Sequence, residues 1–150
     1  MAEINHRVGI AGSRAAIYTA LTTDSGLSRW WTHDTRGAGA VGAIIRFRFN
    51  GGGPDFEVIE LQPDTRVRWR YAGNEPDAWE GTEVLFELQD EQDQVFVRFS
   101  HYNWPAVTDF LAPCSTKWAV FLLSLKQLIE TGQGRPFPDD IYIDHSEYRA

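Results

Sequence analysis

Arg66-Val67-Arg68-Trp69-Arg70-Tyr71 alternates an arginine with a large apolar side chain at every step. Successive side chains of a β-strand point to opposite faces. Val67, Trp69 and Tyr71 therefore share one face, and the three arginines share the other. The period of two continues on both sides. Upstream, Ile45, Phe47 and Phe49 alternate with Arg46 and Arg48, and Phe56 to Leu61 forms the next stretch. Downstream, Val84, Phe86 and Leu88 alternate with Glu83, Leu85 and Glu87, and then Val95, Val97, Phe99 and His101 with Phe96, Arg98 and Ser100. Turn formers separate these stretches: Asn50-Gly51-Gly52-Gly53-Pro54, Pro63-Asp64, Gly73 to Asp77 and Asp90 to Asp93. Strands joined by short turns are antiparallel neighbours. Only one face of such a sheet needs covering.

Helical patterns bracket this run. A first strand is predicted from Ile4, His6, Val8 and Ile10, and Ser13 then caps a helix to about Ala20. Thr23 or Asp24 caps a second, short helix ending in Trp30-Trp31. After the strands a helical turn is predicted at Val107 to Leu111, interrupted by Pro113, and a main helix from about Ser115 to Thr131 with Gly132 as its stop. Trp118, Phe121, Leu122, Leu125, Leu128 and Ile129 form one apolar stripe on it. The fold class is α+β: a curved antiparallel sheet around a long C-terminal helix, with two short helices after the first strand. One domain is expected over 1–150, with its core at about 4–134 and a tail at 135–150. That tail holds Phe137, Ile141, Tyr142, Ile143 and Tyr148, apolar enough to dock on the domain or on a partner.

Composition narrows the function classes. The chain is 43% hydrophobic and 13% aromatic with six tryptophans, which excludes a disordered protein. A net charge of -7 gives no drive toward nucleic acid or anionic membranes. The lone Cys114 allows no internal disulfide and suits a reducing cytoplasm, and the N-terminal residues lack a signal pattern. A soluble cytoplasmic protein is expected. Zinc spacings, H-E-x-x-H, G-x-S-x-G and the P-loop are all missing, so neither metal nor cofactor is expected.

Several features invite a sharper reading. Gly37-Ala38-Gly39-Ala40-Val41-Gly42 matches the dinucleotide pattern G-x-G-x-x-G, but a helix precedes it and a strand follows, the reverse of what phosphate binding needs. It is read as a loop. Trp30 and Trp31 point about 100° apart on a helix, so one plugs the sheet and the other can face a pocket mouth. His101 ends a strand facing inward. It is either an acid/base or ligand hydrogen-bonding group or, with no partner acid evident, a structural histidine. Cys114 reads as a small buried apolar residue, and the outer arginines with Glu83 and Glu87 as a solvated face of mixed charge.

A family resemblance rests on Ala20-Leu21-Thr22-Thr23, Gly26-Leu27, Trp30-Trp31, Gly42, Glu60-Leu61-Gln62-Pro63, Gly81-Thr82, Trp118, Phe121, Leu125-Lys126 and Glu130-Thr131-Gly132. Over roughly residues 4 to 134 the chain resembles the SRPBCC superfamily (START-like, birch-pollen-allergen-like), and within it the domain of the heat-shock-protein ATPase activators. The resemblance implies the helix-grip fold, with a cavity between sheet and helix. The expected function is binding of a small apolar molecule there. Its candidate lining is Trp31, Phe49, Trp69, Tyr71, Phe86, Phe99, His101, Trp104, Phe110 and Trp118. The alternatives are a cyclase/aromatase- or hydrolase-like enzyme using His101, and a protein-interaction module like the chaperone activators, whose additional N-terminal domain these residues lack. Leu85, Phe96 and the apolar tail leave room for a homodimer.

Overall fold

The computed structural model describes residues 2–144. Along the chain run β1 (Ala2–Ile10), α1 (Arg14–Thr22), α2 (Asp24–Leu27), β2 (Asp34–Arg36), β3 (Ile44–Arg48), β4 (Pro54–Gln62), β5 (Arg66–Asn74), a 3-10 turn (Asp77–Trp79), β6 (Glu83–Glu91), β7 (Gln94–Trp104) and α3 (Leu111–Thr131). The strands make one antiparallel sheet in the order β1-β7-β6-β5-β4-β3-β2. This is the helix-grip arrangement.

The alternation read in β5 sets its two faces. Val67, Trp69 and Tyr71 are buried, while the intervening arginines reach outward. There Arg68 pairs with Glu60 at 2.7 Å, Arg66 with Glu87 at 2.8 Å and Arg70 with Glu83 at 3.5 Å. The outer face is thus one of mixed charge, and half-exposed pairs of this kind contribute about 0–1 kcal/mol each. Register shifts in the β1–β7 and β4–β5 pairings mark bulges, which bend the strands locally.

The sequence reading and the structure part at three local points. Helix α2 stops at Leu27, and Trp30-Trp31 lies in the turn beyond it. Strand β2 was not anticipated, because only Thr35 of its three residues is buried and no apolar alternation marks it. Helix α3 starts at Leu111 and runs unbroken through Pro113. That proline falls in the first turn, where the backbone N–H has no intrahelical partner to lose. Cys114 is therefore inside the helix and not ahead of it.

Helix α3 lays Trp118, Phe121, Leu122, Leu125 and Leu128 on the sheet. Each such side chain stabilises by about 1.5–3 kcal/mol on burial. Polar ties fix its far end. Lys126 Nζ donates to the Gly9 carbonyl at 2.6 Å and to Glu130 at 2.7 Å, and Glu130 accepts from the Ala11 amide at 2.8 Å. Gly132, left-handed at φ 87°, ends the helix.

The chain then returns over α3. The Arg135 amide donates to Ser124 Oγ at 2.7 Å, the Phe137 amide to the Trp31 carbonyl at 2.7 Å, and the His33 amide to the Phe137 carbonyl at 3.2 Å. The tail is tied to its own chain from Arg135 to the Ile141 carbonyl, one of the two outcomes its apolar content left open, while the Ile141 and Tyr142 side chains stay exposed. Tyr148 lies outside the described residues.

Candidate ligand cleft

Two tryptophans adjacent in sequence part company in space. Trp30 is fully buried and its indole N–H donates to the Ala20 carbonyl at 2.8 Å, so it seals the base of α1. Trp31 lies across the middle of the molecule, with its ring centroid 4.1 Å from Phe47 and 4.8 Å from Trp118. One side of it faces a cleft of about 410 Å³. The cleft opens between the first half of α3, the β3–β4 hairpin, the loop after β5 and the tail. Trp31, Phe49, Trp79, Phe110, Trp118, Phe121 and Phe137 supply aromatic walls, and Glu75, Lys117 and Asp140 supply the charges.

Of the residues proposed from sequence, Trp31, Phe49, Phe110 and Trp118 line this cleft. The structure places Trp69, Tyr71, Phe86, Phe99, His101 and Trp104 beneath it, in packed core. Their rings interlock: Trp69 meets Phe86 at 5.2 Å, Phe86 meets Phe99 at 5.3 Å, and Phe99 meets Trp118 at 4.5 Å. The space under the middle of α3 is filled, and the opening lies at one end of it.

His101 belongs to the floor and not to the wall. It is 0% exposed. Trp118 Nε1–H donates to its Nδ1 at 3.1 Å, which leaves the ring proton on Nε2, and Nε2 lies 2.9 Å from Thr82 Oγ1. The Thr82 hydroxyl in turn donates to the Trp79 carbonyl at 2.6 Å. Burial pushes the His101 pKa down to about 3, so the ring is neutral near pH 7. The relay ties α3, β7 and the 3-10 turn together and orients two cleft walls, Trp118 and Trp79. Both ring nitrogens are engaged, and the ring is not among the cleft's lining residues.

Sequence reasoning missed Trp79, Phe121, Phe137, Lys117, Glu75 and Asp140 as lining. Phe121 stood in the apolar stripe, where core and cleft cannot be separated. Lys117 is charged yet only 9% exposed, because its ammonium pairs with Asp140 of the tail and donates to the Ile141 carbonyl at 3.3 Å. No pattern in the sequence marks that pair. Removing one partner of a buried ion pair strands the other. Asp140→Asn is therefore expected to loosen the tail: amide exchange at Phe137 and His33 should rise well above wild type, with the α3 core unchanged. Unaltered exchange at Phe137 would show that the pair does not hold the tail down.

Residues 11–130 match the family model described as activator of Hsp90 ATPase homolog 1-like protein. The chain belongs to that family. A solved relative from Colwellia psychrerythraea, described as an Aha1 dimer in solution, is 59% identical with a TM-score of 0.84, covering 89% of this chain and 100% of that one. Two further structures share the fold at lower identity. A protein from Mesorhizobium loti is 18% identical, with a TM-score of 0.74 over 86% of this chain and 97% of that one. A protein of the dynemicin biosynthetic locus is 21% identical, with a TM-score of 0.75 over 88% of this chain and 48% of that one. No curated protein matches the chain. Among the described residues of this family member, no helix is long and apolar enough to cross a membrane, and no three His, Cys, Asp or Glu side chains are grouped to hold a metal.

Proposed function

We propose that the protein binds a small, largely apolar molecule in the cleft between the sheet, the first half of α3 and the tail. The observation that carries this reading is the cleft itself: about 410 Å³, walled by aromatic rings and lying over a buried aromatic core. Ligand pockets fall at about 300–1,000 Å³ and combine apolar walls with a few polar groups. Rigid rings lose little conformational entropy on contact, so burial of ligand surface at about 25 cal/mol per Å² converts efficiently to affinity.

An enzymatic role through His101 draws no support from its position, since its ring is sealed under the floor with both nitrogens engaged. Native mass spectrometry of the freshly purified protein, followed by denaturing spectra of the same sample, tests the binding reading. A small molecule released on unfolding is the expected result. If only bare chain is seen and an environment-sensitive hydrophobic dye also fails to bind the folded protein, the reading is wrong.

A second inference concerns assembly. The relative from Colwellia psychrerythraea that is 59% identical is described as a dimer. We infer on that ground that this chain also pairs with a second copy. Light scattering after gel filtration should return twice the mass of one chain, and a single-chain mass at high micromolar concentration would refute the pairing.

A further inference from the structure

We propose that the cleft selects ligands that carry a cationic amine on an apolar body, with the Glu75 carboxylate as the group that meets the charge. The proposal rests on the ligand-binding reading above and adds to it the charge of the ligand.

Among the described residues, three charged side chains line the cleft: Glu75, Lys117 and Asp140. Two of them cancel. Lys117 is paired with Asp140, donates to the Ile141 carbonyl at 3.3 Å and lies over the Phe121 ring at 5.3 Å, so its ammonium is fully engaged. Glu75 sits exposed at the rim, and among the described residues it forms no ion pair. Among the described residues, the cleft therefore presents one uncompensated negative charge. Aromatic faces add to it, since each carries the negative lobe of its quadrupole. Lys117 over Phe121 shows that this lining already accommodates an ammonium against a ring beside a carboxylate. An anionic ligand would meet the opposite situation: Glu75 repels it, and Lys117, the one cation among the described lining residues, is taken.

The Glu75 carboxylate lies against the hairpin opposite. A Cβ built on Gly52 would stand 1.9 Å from Glu75 Oε1, so the carboxylate lies across the glycine backbone in space a side chain would fill. Any larger residue at Gly52 must push the carboxylate aside. Both residues line the cleft. Charge and place can thus be varied separately.

The test uses three probes of one shape: 4-phenylbutylammonium, 4-phenylbutanol and 4-phenylbutyrate, titrated into the full chain at low ionic strength by calorimetry. The ammonium should bind about tenfold more tightly than the carboxylate, with the alcohol between them, and the gap should shrink at high salt. Glu75→Gln should bring the three to within about twofold of one another. Gly52→Ala, which keeps the charge but displaces it, should also narrow the gap. Circular dichroism checks that both variants fold. Equal affinities in the wild type, a carboxylate preference, or an ammonium preference that survives Glu75→Gln each overturn the charge assignment while leaving a ligand cleft in place. Binding of none of the three overturns the ligand reading, and this inference with it.

Discussion

Replacing Trp31 by alanine is expected to lower the unfolding free energy by about 3–5 kcal/mol, the range for a fully packed tryptophan or phenylalanine. The ring is 3% exposed. It touches the sheet through Phe47 at 4.1 Å, α3 through Trp118 at 4.8 Å, and the hairpin through Phe49 at 6.0 Å. Its carbonyl receives the Phe137 amide, so the tail hangs from the same residue. Deleting the ring removes apolar contacts from several elements at once, and the void it leaves joins the cleft, so the surroundings cannot close over it cheaply. Urea denaturation measures the effect as a shift in midpoint at unchanged slope. A loss below about 1 kcal/mol would mean that the ring is not the common contact of sheet, helix and hairpin.

The second large effect is on acid stability. The folded protein holds His101 neutral, with a pKa of about 3, against about 6.5 in an unfolded chain. Above pH 6.5 neither state binds the proton, and this contribution to stability is fully present. Between pH 6.5 and 3 the unfolded state takes up the proton and the folded state does not. Stability then falls as pH falls, by about 1.4 kcal/mol per pH unit from this one ring. Carboxylates add their own acid sensitivity, so the comparison is with His101→Gln. That variant is expected to be less stable at pH 7, because the Trp118 N–H and the Thr82 hydroxyl lose their shared partner, at a cost of about 1–3 kcal/mol. Its stability should also fall less steeply from pH 6.5 to 4. Parallel curves for the two proteins would remove His101 as the source.

How much of this was legible beforehand follows from what each pattern encodes. Period two across Ile45 to His101 identifies the face each side chain takes, and the structure keeps those faces. It carries nothing about position along the groove under α3. Trp69, Phe86 and Phe99 point inward as expected, yet they lie where neighbouring rings close the space, whereas Phe49 and Phe110 lie where the space opens. Lining and floor have the same signature. Trp79 was hidden because a single aromatic just after the Gly73-Asn74-Glu75-Pro76-Asp77 loop has no period at all, and the turn Asp77–Trp79 packs against His101, distant in sequence. The tail offered composition only. Its apolar content left open the domain or a partner as the landing place, and the ties found depend on Ser124, Trp31 and Lys117, three residues with no common motif. Strand β2 follows the same logic: it forms because β3 offers an edge, not because Asp34-Thr35-Arg36 prefers a strand.

Family membership and cleft meet at a few residues. Thr82 and Trp118, which carried the resemblance, are the two hydrogen-bond partners of His101. Lys126 and Glu130 are the ties between α3 and the end of β1. The residues that make the chain recognisable hold the helix on the sheet. Glu75, Phe137 and Asp140, which give the cleft its charge and one of its walls, were not among them.

The chain carries its own reporters for the central claim. Of its six tryptophans, Trp31, Trp79 and Trp118 line the cleft, and Trp30, Trp69 and Trp104 are packed away from it. Each indole N–H gives one signal in a nitrogen-15 correlation spectrum, assignable by single Trp→Phe variants. Titration with a small aromatic probe is predicted to move the signals of Trp31, Trp79 and Trp118 while those of Trp30, Trp69 and Trp104 stay nearly fixed. Six signals unmoved at millimolar probe, or shifts confined to the packed three, would contradict a ligand cleft at this place in the fold.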